Sequence, residues 1–194
     1  RFPSSEYDVL VVVDGKTLLS RENLERFSNL AIELNLADGV NGLISMLSAR
    51  DKPDAKGYAA PLVPDTLPEG EEYDKLLERL KSNDIVSGKF LSDDGELALM
   101  VISLDRKTVE QKGPREVIGG IQKAVDEELQ GSGLTAKLTG APVMQLEIRN
   151  AVERDRLIYN GLGFLVGLVV AYLFFRRISL TLIAVAGPAI AILW

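Results

Sequence analysis

A short stretch after the first apolar run, Asp14-Gly15-Lys16-Thr17, has residue types that could hold a phosphate group. In a phosphate-binding loop, main-chain N–H groups and a lysine surround the phosphate. The pattern needs a glycine five positions before the glycine that precedes the lysine. That position is Leu10, which lies inside the apolar run. The motif is incomplete, and a turn at the end of a strand is the preferred interpretation.

Two acidic groups could in principle offer carboxylate oxygens to calcium, but neither has the ligand spacing of an EF-hand loop. They are Glu69, Glu71, Glu72 and Asp74, and Asp93, Asp94 and Glu96. The chain has no histidine, which removes the usual general base at neutral pH, and no cysteine. No serine stands in a G-x-S-x-G pattern. We therefore predict no catalytic residue, no metal site and no cofactor.

Charge divides the chain into two parts. All 28 acidic residues and 20 of the 22 Lys and Arg lie in residues 1–156, whereas residues 157–194 contain only Arg176 and Arg177. The first part therefore carries a net charge of −8 and is suited to water. Nucleic-acid binding needs a basic face that displaces counterions, so a nucleic-acid partner is not expected.

The apolar part has the lengths of two membrane spans. Residues 157–175 form a run of 19 without a charge, close to the roughly 20 that cross a bilayer as a helix. Residues 178–194 form a second run, which the end of the chain cuts off, so we expect this chain to be part of a longer protein. Arg176 and Arg177 would be the turn between the spans. Since Lys and Arg in short loops favour the cytoplasm, we predict that the turn is cytoplasmic and residues 1–156 are periplasmic.

Small residues and a proline mark the two predicted spans. Gly163 and Gly167 form a G-x-x-x-G pattern, which lets a second helix approach closely. Packing within the protein's own bundle is the preferred interpretation over dimerisation. Pro188 is expected to kink the second span, because proline removes one helical hydrogen bond.

The aqueous part alternates strand and helix patterns. Predicted strands cover residues 7–13, 39–48, 96–104 and 134–140, and the turn Asp93-Asp94-Gly95 joins the third to residues 88–92 as a hairpin. Helical periodicity follows Ser20 and Pro114. Two β-α-β units in one domain predict an α+β fold of the ferredoxin-like, split β-α-β type, with one sheet covered on one face by two helices.

The predicted domain organisation places this α/β domain at residues 1–141, with an insertion at 49–83. Four prolines and two glycines interrupt the insertion, and a short helix leads back from it. From residue 142 the pattern is helical again and continues without a breaker into the first span. Residues 142–156 are thus a juxtamembrane helix, which would join the outer domain stiffly to the membrane.

Three stretches carry a family resemblance: YDVLVVVDGKTLLSRENLERF, FLSDDGELALMVISLD and LTGAPVMQLEIRNAVERDRLIYNGLGFLVG. In these stretches the chain resembles exporters of the RND superfamily, in the branch of MmpL, hopanoid-exporter and Patched-like proteins. The resemblance implies that residues 1–156 are the first periplasmic porter domain and that the spans are transmembrane helices two and three of an inner-membrane transporter. Such proteins export hydrophobic or amphiphilic molecules, lipids or drugs, usually driven by protons.

The partners implied are membrane lipids, the exported molecule, the remaining transmembrane helices and a second porter domain. No acidic residue lies in either span, so proton-carrying residues would be elsewhere. The alternative is a membrane receptor or sensor with an extracytoplasmic ligand-binding domain. A receptor usually continues into a cytoplasmic domain, whereas this chain turns back after two residues, which favours the transporter. A membrane-tethered enzyme is disfavoured by the absent catalytic groups.

Overall fold

A computed structural model describes the backbone of residues 5–51, 57 and 59–193. In this part of the chain, strands and helices alternate and two long apolar helices follow. The strands are β1 (Asp8–Asp14), β2 (Val40–Ile44), β3 (Leu97–Leu104) and β4 (Thr135–Thr139). The helices are α1 (Arg21–Leu36), α2 (Glu71–Ser82), α3 (Arg106–Lys112), α4 (Pro114–Leu129), α5 (Ala141–Phe175) and α6 (Ile178–Leu193).

The four strands form one antiparallel sheet in the order β2-β3-β1-β4. The connection from β1 through α1 to β2 steps over β3, and the connection from β3 through α3 and α4 to β4 steps over β1. Each β-α-β unit therefore encloses a strand of the other. At the centre, Val11 of β1 lies opposite Met100 of β3 and Leu138 of β4. The mixed α/β character and the four principal strand regions agree with the prediction.

Two amphipathic helices, α1 and α4, cover one face of this sheet. The hydroxyl oxygen of Ser20 accepts the N–H of Asn23 and caps α1, and Pro114 occupies the first turn of α4. Both helices bury the apolar stripes that their periodicity predicts. The buried residues are Leu24, Phe27, Leu30, Ala31 and Leu34 on α1, and Val117, Ile118, Ile121, Ala124, Val125 and Leu129 on α4.

The second strand is shorter than predicted. It ends at Ile44, and residues Met46–Ser48 form a turn of 3₁₀-helix. Ser45 causes the change, since its hydroxyl accepts the N–H of Leu47 while its own N–H donates to the hydroxyl of Ser48. Serine side chains that bond nearby main chain compete in this way with strand pairing.

One further prediction needed correction, and one helix was missed. Residues 88–92 do not form a regular strand, because they meet β3 only through a bridge between Leu91 and Ala98 and neighbouring main-chain bonds. The predicted turn at Asp93-Asp94-Gly95 is present, and Gly95 has φ of 77°. Helix α3 was not predicted at all. It is short, and Asp105 begins it by accepting the N–H and the hydroxyl of Thr108.

The described chain divides into two compact units, with the boundary between Leu146 and Glu147. Helix α5 is continuous through this boundary, and its 35 residues give a length of about 52 Å at 1.5 Å per residue. Its first residues belong to the α/β unit, where Pro142 and Val143 are buried. The helical pattern was predicted from residue 142, and the helix begins at Ala141.

Candidate functional site

The stretch Asp14-Gly15-Lys16-Thr17 serves packing and turn formation. A Cβ on Gly15 would lie 2.5 Å from Cδ2 of Leu134, so the glycine lets two loops approach. The side-chain amide of buried Asn23 donates to the carbonyl and to the hydroxyl of Thr17, both at 2.9 Å. These bonds attach α1 to the loop after β1. These contacts account for the residue types in the stretch, so phosphate binding is not needed to explain them.

The predicted acidic groups also form local structure. Asp94 accepts hydrogen bonds from the hydroxyl of Ser92 and from the N–H of Glu96, and these bonds hold the pKa of its carboxyl below the usual range. The carboxylate thus stabilises the turn before β3. Within the described residues, no group of three or more His, Cys, Asp or Glu could hold a metal ion.

The face of the sheet opposite α1 and α4 is largely apolar. Along β1 and β3, alternate residues are buried under the helices, and the residues between them are half-buried or exposed. We call this surface the open sheet face. Its apolar residues are Leu10, Val12, Ile44, Leu97, Leu99 and Val101. Two are substantially exposed, Ile44 at 54% and Leu97 at 39%.

Strand pairing places the open sheet face in one continuous patch. Ile44, Val101 and Leu10 lie side by side across β2, β3 and β1, and Leu99 lies opposite Val12. Polar residues surround this patch at the ends of the strands and on β4. They are Asp8, Asp14, Ser103, Thr135, Lys137 and Thr139, with the Ser103 hydroxyl donating to Asp8 at 2.8 Å. An apolar patch with a polar border is suited to an apolar molecule or to another domain.

This surface was not predicted from the sequence, where the first apolar run was assigned to a strand without separating the residues of its two faces. The signal was present in the composition. A strand of a two-layer α/β unit needs apolar residues on one face only, whereas Leu10 and Val12 continue the apolar run on the second face.

In the second unit, α5 has the length and composition of a membrane span. Its most apolar 18-residue window has a mean hydropathy of 2.0, and none of that window is buried within the chain. Among the described helices, α5 is the one that is both long enough and apolar enough to cross a membrane. Helix α6 is as apolar in composition and is described over 16 residues.

Arg176 and Arg177 lie between α5 and α6. The N–H of Arg176 donates to the carbonyl of Tyr172 at 2.8 Å, and Arg176 has a left-handed φ of 52°. The carbonyl of Arg177 then accepts the N–H of Thr181, and this is a first-turn hydrogen bond of α6. The chain thus changes from one helix to the next within two residues. The two cationic side chains follow the negative end of the α5 dipole, a favourable position.

The predicted packing glycines are exposed. A Cβ added to Gly163 or to Gly167 would meet no atom of the described chain within 4 Å. The face that they form on α5 is therefore open to another helix. Pro188 lies within α6, but its side chain lies outside the described part, so the expected kink stays a prediction.

Comparison with known families gives a match that covers most of both units. The model of the MMPL family matches residues 14–192. The chain belongs to the MMPL family. No curated protein matches the chain.

Membership of the MMPL family agrees with the architecture and with the resemblance found in the sequence. MMPL proteins are membrane proteins, transporters of the RND type that act on hydrophobic substrates. The match extends across the α/β unit, the turn at Arg176 and Arg177, and nearly all of α6. The apolar helix α5 fits such a protein.

Proposed function

We propose that this chain is the first periplasmic porter domain and transmembrane helices two and three of an inner-membrane RND-type exporter. In this proposal the intact protein moves hydrophobic or amphiphilic molecules, lipids or drugs, out of the membrane. The proton gradient drives it, through acidic residues on helices outside this chain. The observation that carries the proposal is the MMPL match over residues 14–192, which joins the α/β unit to α5 and α6.

The strand order supports a ferredoxin-like porter fold. Two β-α-β units that each enclose a strand of the other, with both long helices on one face, are the arrangement expected of that fold. In our proposal the open sheet face contacts the second porter domain and forms part of the substrate path. The face of Gly163 and Gly167 contacts another transmembrane helix, and Arg176 and Arg177 hold the turn in the cytoplasm.

The turn also supports a transporter over a receptor. A receptor transmits a signal from its membrane helix into a cytoplasmic domain. In this chain only two residues separate α5 from α6, which leaves no room for such a domain between them. The long continuous helix α5 would carry movements of the porter domain into the membrane part.

Transport by the intact protein that contains this chain tests the proposal directly. We expect inside-out membrane vesicles to accumulate a fluorescent amphiphile when a proton gradient is imposed. Accumulation should stop when a protonophore removes the gradient. Uptake that is the same in vesicles without the protein would contradict the proposal.

Variants on the open sheet face test the proposed substrate path. Ile44→Lys with Leu97→Lys places two charges in the proposed contact, which should reduce uptake by about tenfold or more, since a buried unpaired charge is strongly unfavourable. Ile85→Lys with Ile32→Lys is the matched control, because it also adds two charges, and Ile85 and Ile32 are exposed to 55% and 59% but lie outside the open sheet face. Unchanged uptake in the double variant would remove the open sheet face from the proposal.

The side of the membrane is tested by labelling. A cysteine at Ser179, two residues after the turn, should react with an impermeant maleimide only when the cytoplasmic face is accessible. Reaction from the periplasmic side in intact spheroplasts would reverse the proposed topology.

A further inference from the structure

The outer side of the helical layer contains a groove between α1 and α4. Its volume is about 520 Å³, within the range of pockets that hold small organic ligands. It lies on the side of the helices away from the open sheet face, within the α/β unit. The lining residues come from the end of α1, the turn between α1 and β2, the end of α3 and the first two thirds of α4.

The floor of the groove is apolar. Val117 and Ile121 line the bottom of the groove and also belong to the core of the α/β unit, and Leu36 lies at its edge with 80% of its surface exposed. Gly120 keeps the groove open, since a Cβ there would meet no atom of the described chain within 4 Å. Glycine weakens a helix interior relative to alanine, and no described contact requires it here.

Charge at the rim is negative. Lys112 forms an ion pair with Asp38, and this pair raises the pKa of the lysine. Glu33 on α1 and Glu116 on α4 also line the groove, and Glu116 contributes to the raised pKa of Lys112. Among the described residues that line the groove, Lys112 is the one cation. The rim therefore presents a surplus of two negative charges above the apolar floor.

We propose that this groove binds small amphiphiles with one cationic head group and a short apolar tail. The tail contacts Leu36, Val117 and the surface over Gly120, and the head group lies near the carboxylates of Glu33 and Glu116. Opposite charge at the rim selects cations, and the apolar floor selects molecules with a tail. The inference rests on the groove alone and does not require that the bound molecule is transported.

Three probes with the same eight-carbon chain separate charge from hydrophobicity: octyltrimethylammonium, octyl sulfate and octyl glucoside. The intact protein in nanodiscs is titrated with each, and the methyl NMR signals of Leu36 and Val117 are followed. Empty nanodiscs measure partitioning into lipid. We expect a saturable shift of both signals with the cation, and a much weaker response to the other two. Equal responses to all three probes, or a stronger one to octyl sulfate, would overturn the proposal.

Two pairs of variants locate the site. Gly120→Leu fills the groove and should weaken cation binding by about tenfold or more, whereas Gly119→Leu, on the neighbouring exposed glycine outside the groove, should leave it unchanged. Glu33→Gln with Glu116→Gln should weaken binding about fivefold. Glu25→Gln with Glu78→Gln changes the net charge equally and should have no effect. Thermal unfolding of each variant checks the fold. Wild-type binding by a folded Gly120→Leu protein would place the ligand elsewhere and end the proposal.

Discussion

The main-chain N–H of Arg176 donates to the carbonyl of Tyr172 at 2.8 Å while Arg176 itself adopts a left-handed conformation. This five-to-one bond is a common way to end a helix, and glycine usually occupies the left-handed position. Arginine has a Cβ, which makes that conformation unfavourable by about 1–2 kcal/mol. Among the described residues, Arg176 is the one non-glycine residue with positive φ. A charge therefore stands where backbone geometry favours glycine.

Replacing Arg176 by glycine should stabilise the turn. We expect the free energy of unfolding of the intact protein to rise by about 1 kcal/mol for Arg176→Gly, because the strain at positive φ is removed. Arg176→Val should lower it, since a β-branched residue tolerates this conformation worse. Arg177→Gly is the control that removes the same charge without relieving strain. Denaturant unfolding in detergent measures all three, and an equal effect of the two glycine variants would mean that charge dominates.

Tyr73 gives the α/β unit a dependence on alkaline pH. Its hydroxyl donates to the carbonyl of Leu19 at 2.9 Å, and burial raises its pKa from 10.0 to about 12. Because the folded state favours the protonated phenol, the associated stability is complete below pH 10 and is lost as pH rises toward about 12. The predicted result is a fall in the unfolding midpoint of wild type over this interval.

Tyr73→Phe supplies the control for that dependence. It should cost about 1 kcal/mol at neutral pH, since the Leu19 carbonyl loses its partner. In this variant the unfolding midpoint should also change less with pH between pH 10 and 12. A slope in the variant equal to that of wild type would assign the alkaline transition to other groups.

Gly140, between β4 and α5, should tolerate no side chain. A Cβ there would lie 2.4 Å from the carbonyl oxygen of Asp8, and the φ of 116° is in a region that L-residues rarely adopt. We expect Gly140→Ala to lower the free energy of unfolding by about 2–4 kcal/mol, through this contact with main-chain atoms and through strain. Chemical denaturation is the measurement, and a loss below about 0.5 kcal/mol would show that the junction adjusts freely.

Gly119 should respond in the opposite direction. It lies in α4 with ordinary helical geometry, and a Cβ would meet no described atom within 4 Å. Alanine is about 1 kcal/mol more favourable than glycine in a helix interior, so Gly119→Ala should raise the free energy of unfolding by about that amount. The same denaturation experiment tests it, and a decrease would reveal a contact of Gly119 outside the described chain.

The sequence predicted the helices and strands whose signals are local and strong. Ser20 as a cap, Pro114 at a first turn and the apolar periodicity of α1 and α4 identified elements that the structure contains. Helix α3 was missed because seven residues give less than two periods, and Asp105 as its cap was not recognised. Strand β2 was extended too far because apolar composition does not record the local hydrogen bonds of Ser45.

The surfaces proposed for function could not be derived from the sequence. The open sheet face requires knowledge of which strands are neighbours, since Ile44, Val101 and Leu10 are far apart in the chain and adjacent in the sheet. The groove likewise depends on the packing of α4 against α1. In contrast, the turn at Arg176 and Arg177 was visible because two charges interrupt an apolar stretch of 38 residues.

The shortness of that turn makes the hairpin sensitive to the number of residues in it. Each residue in an α-helix advances by about 100°, since 3.6 residues complete a turn. Because only Arg176 and Arg177 lie between α5 and α6, the linker is too short to accommodate an inserted or deleted residue without moving one of the helices. Such a change would turn every side chain of α6 relative to α5. We therefore expect natural length variation to be excluded here.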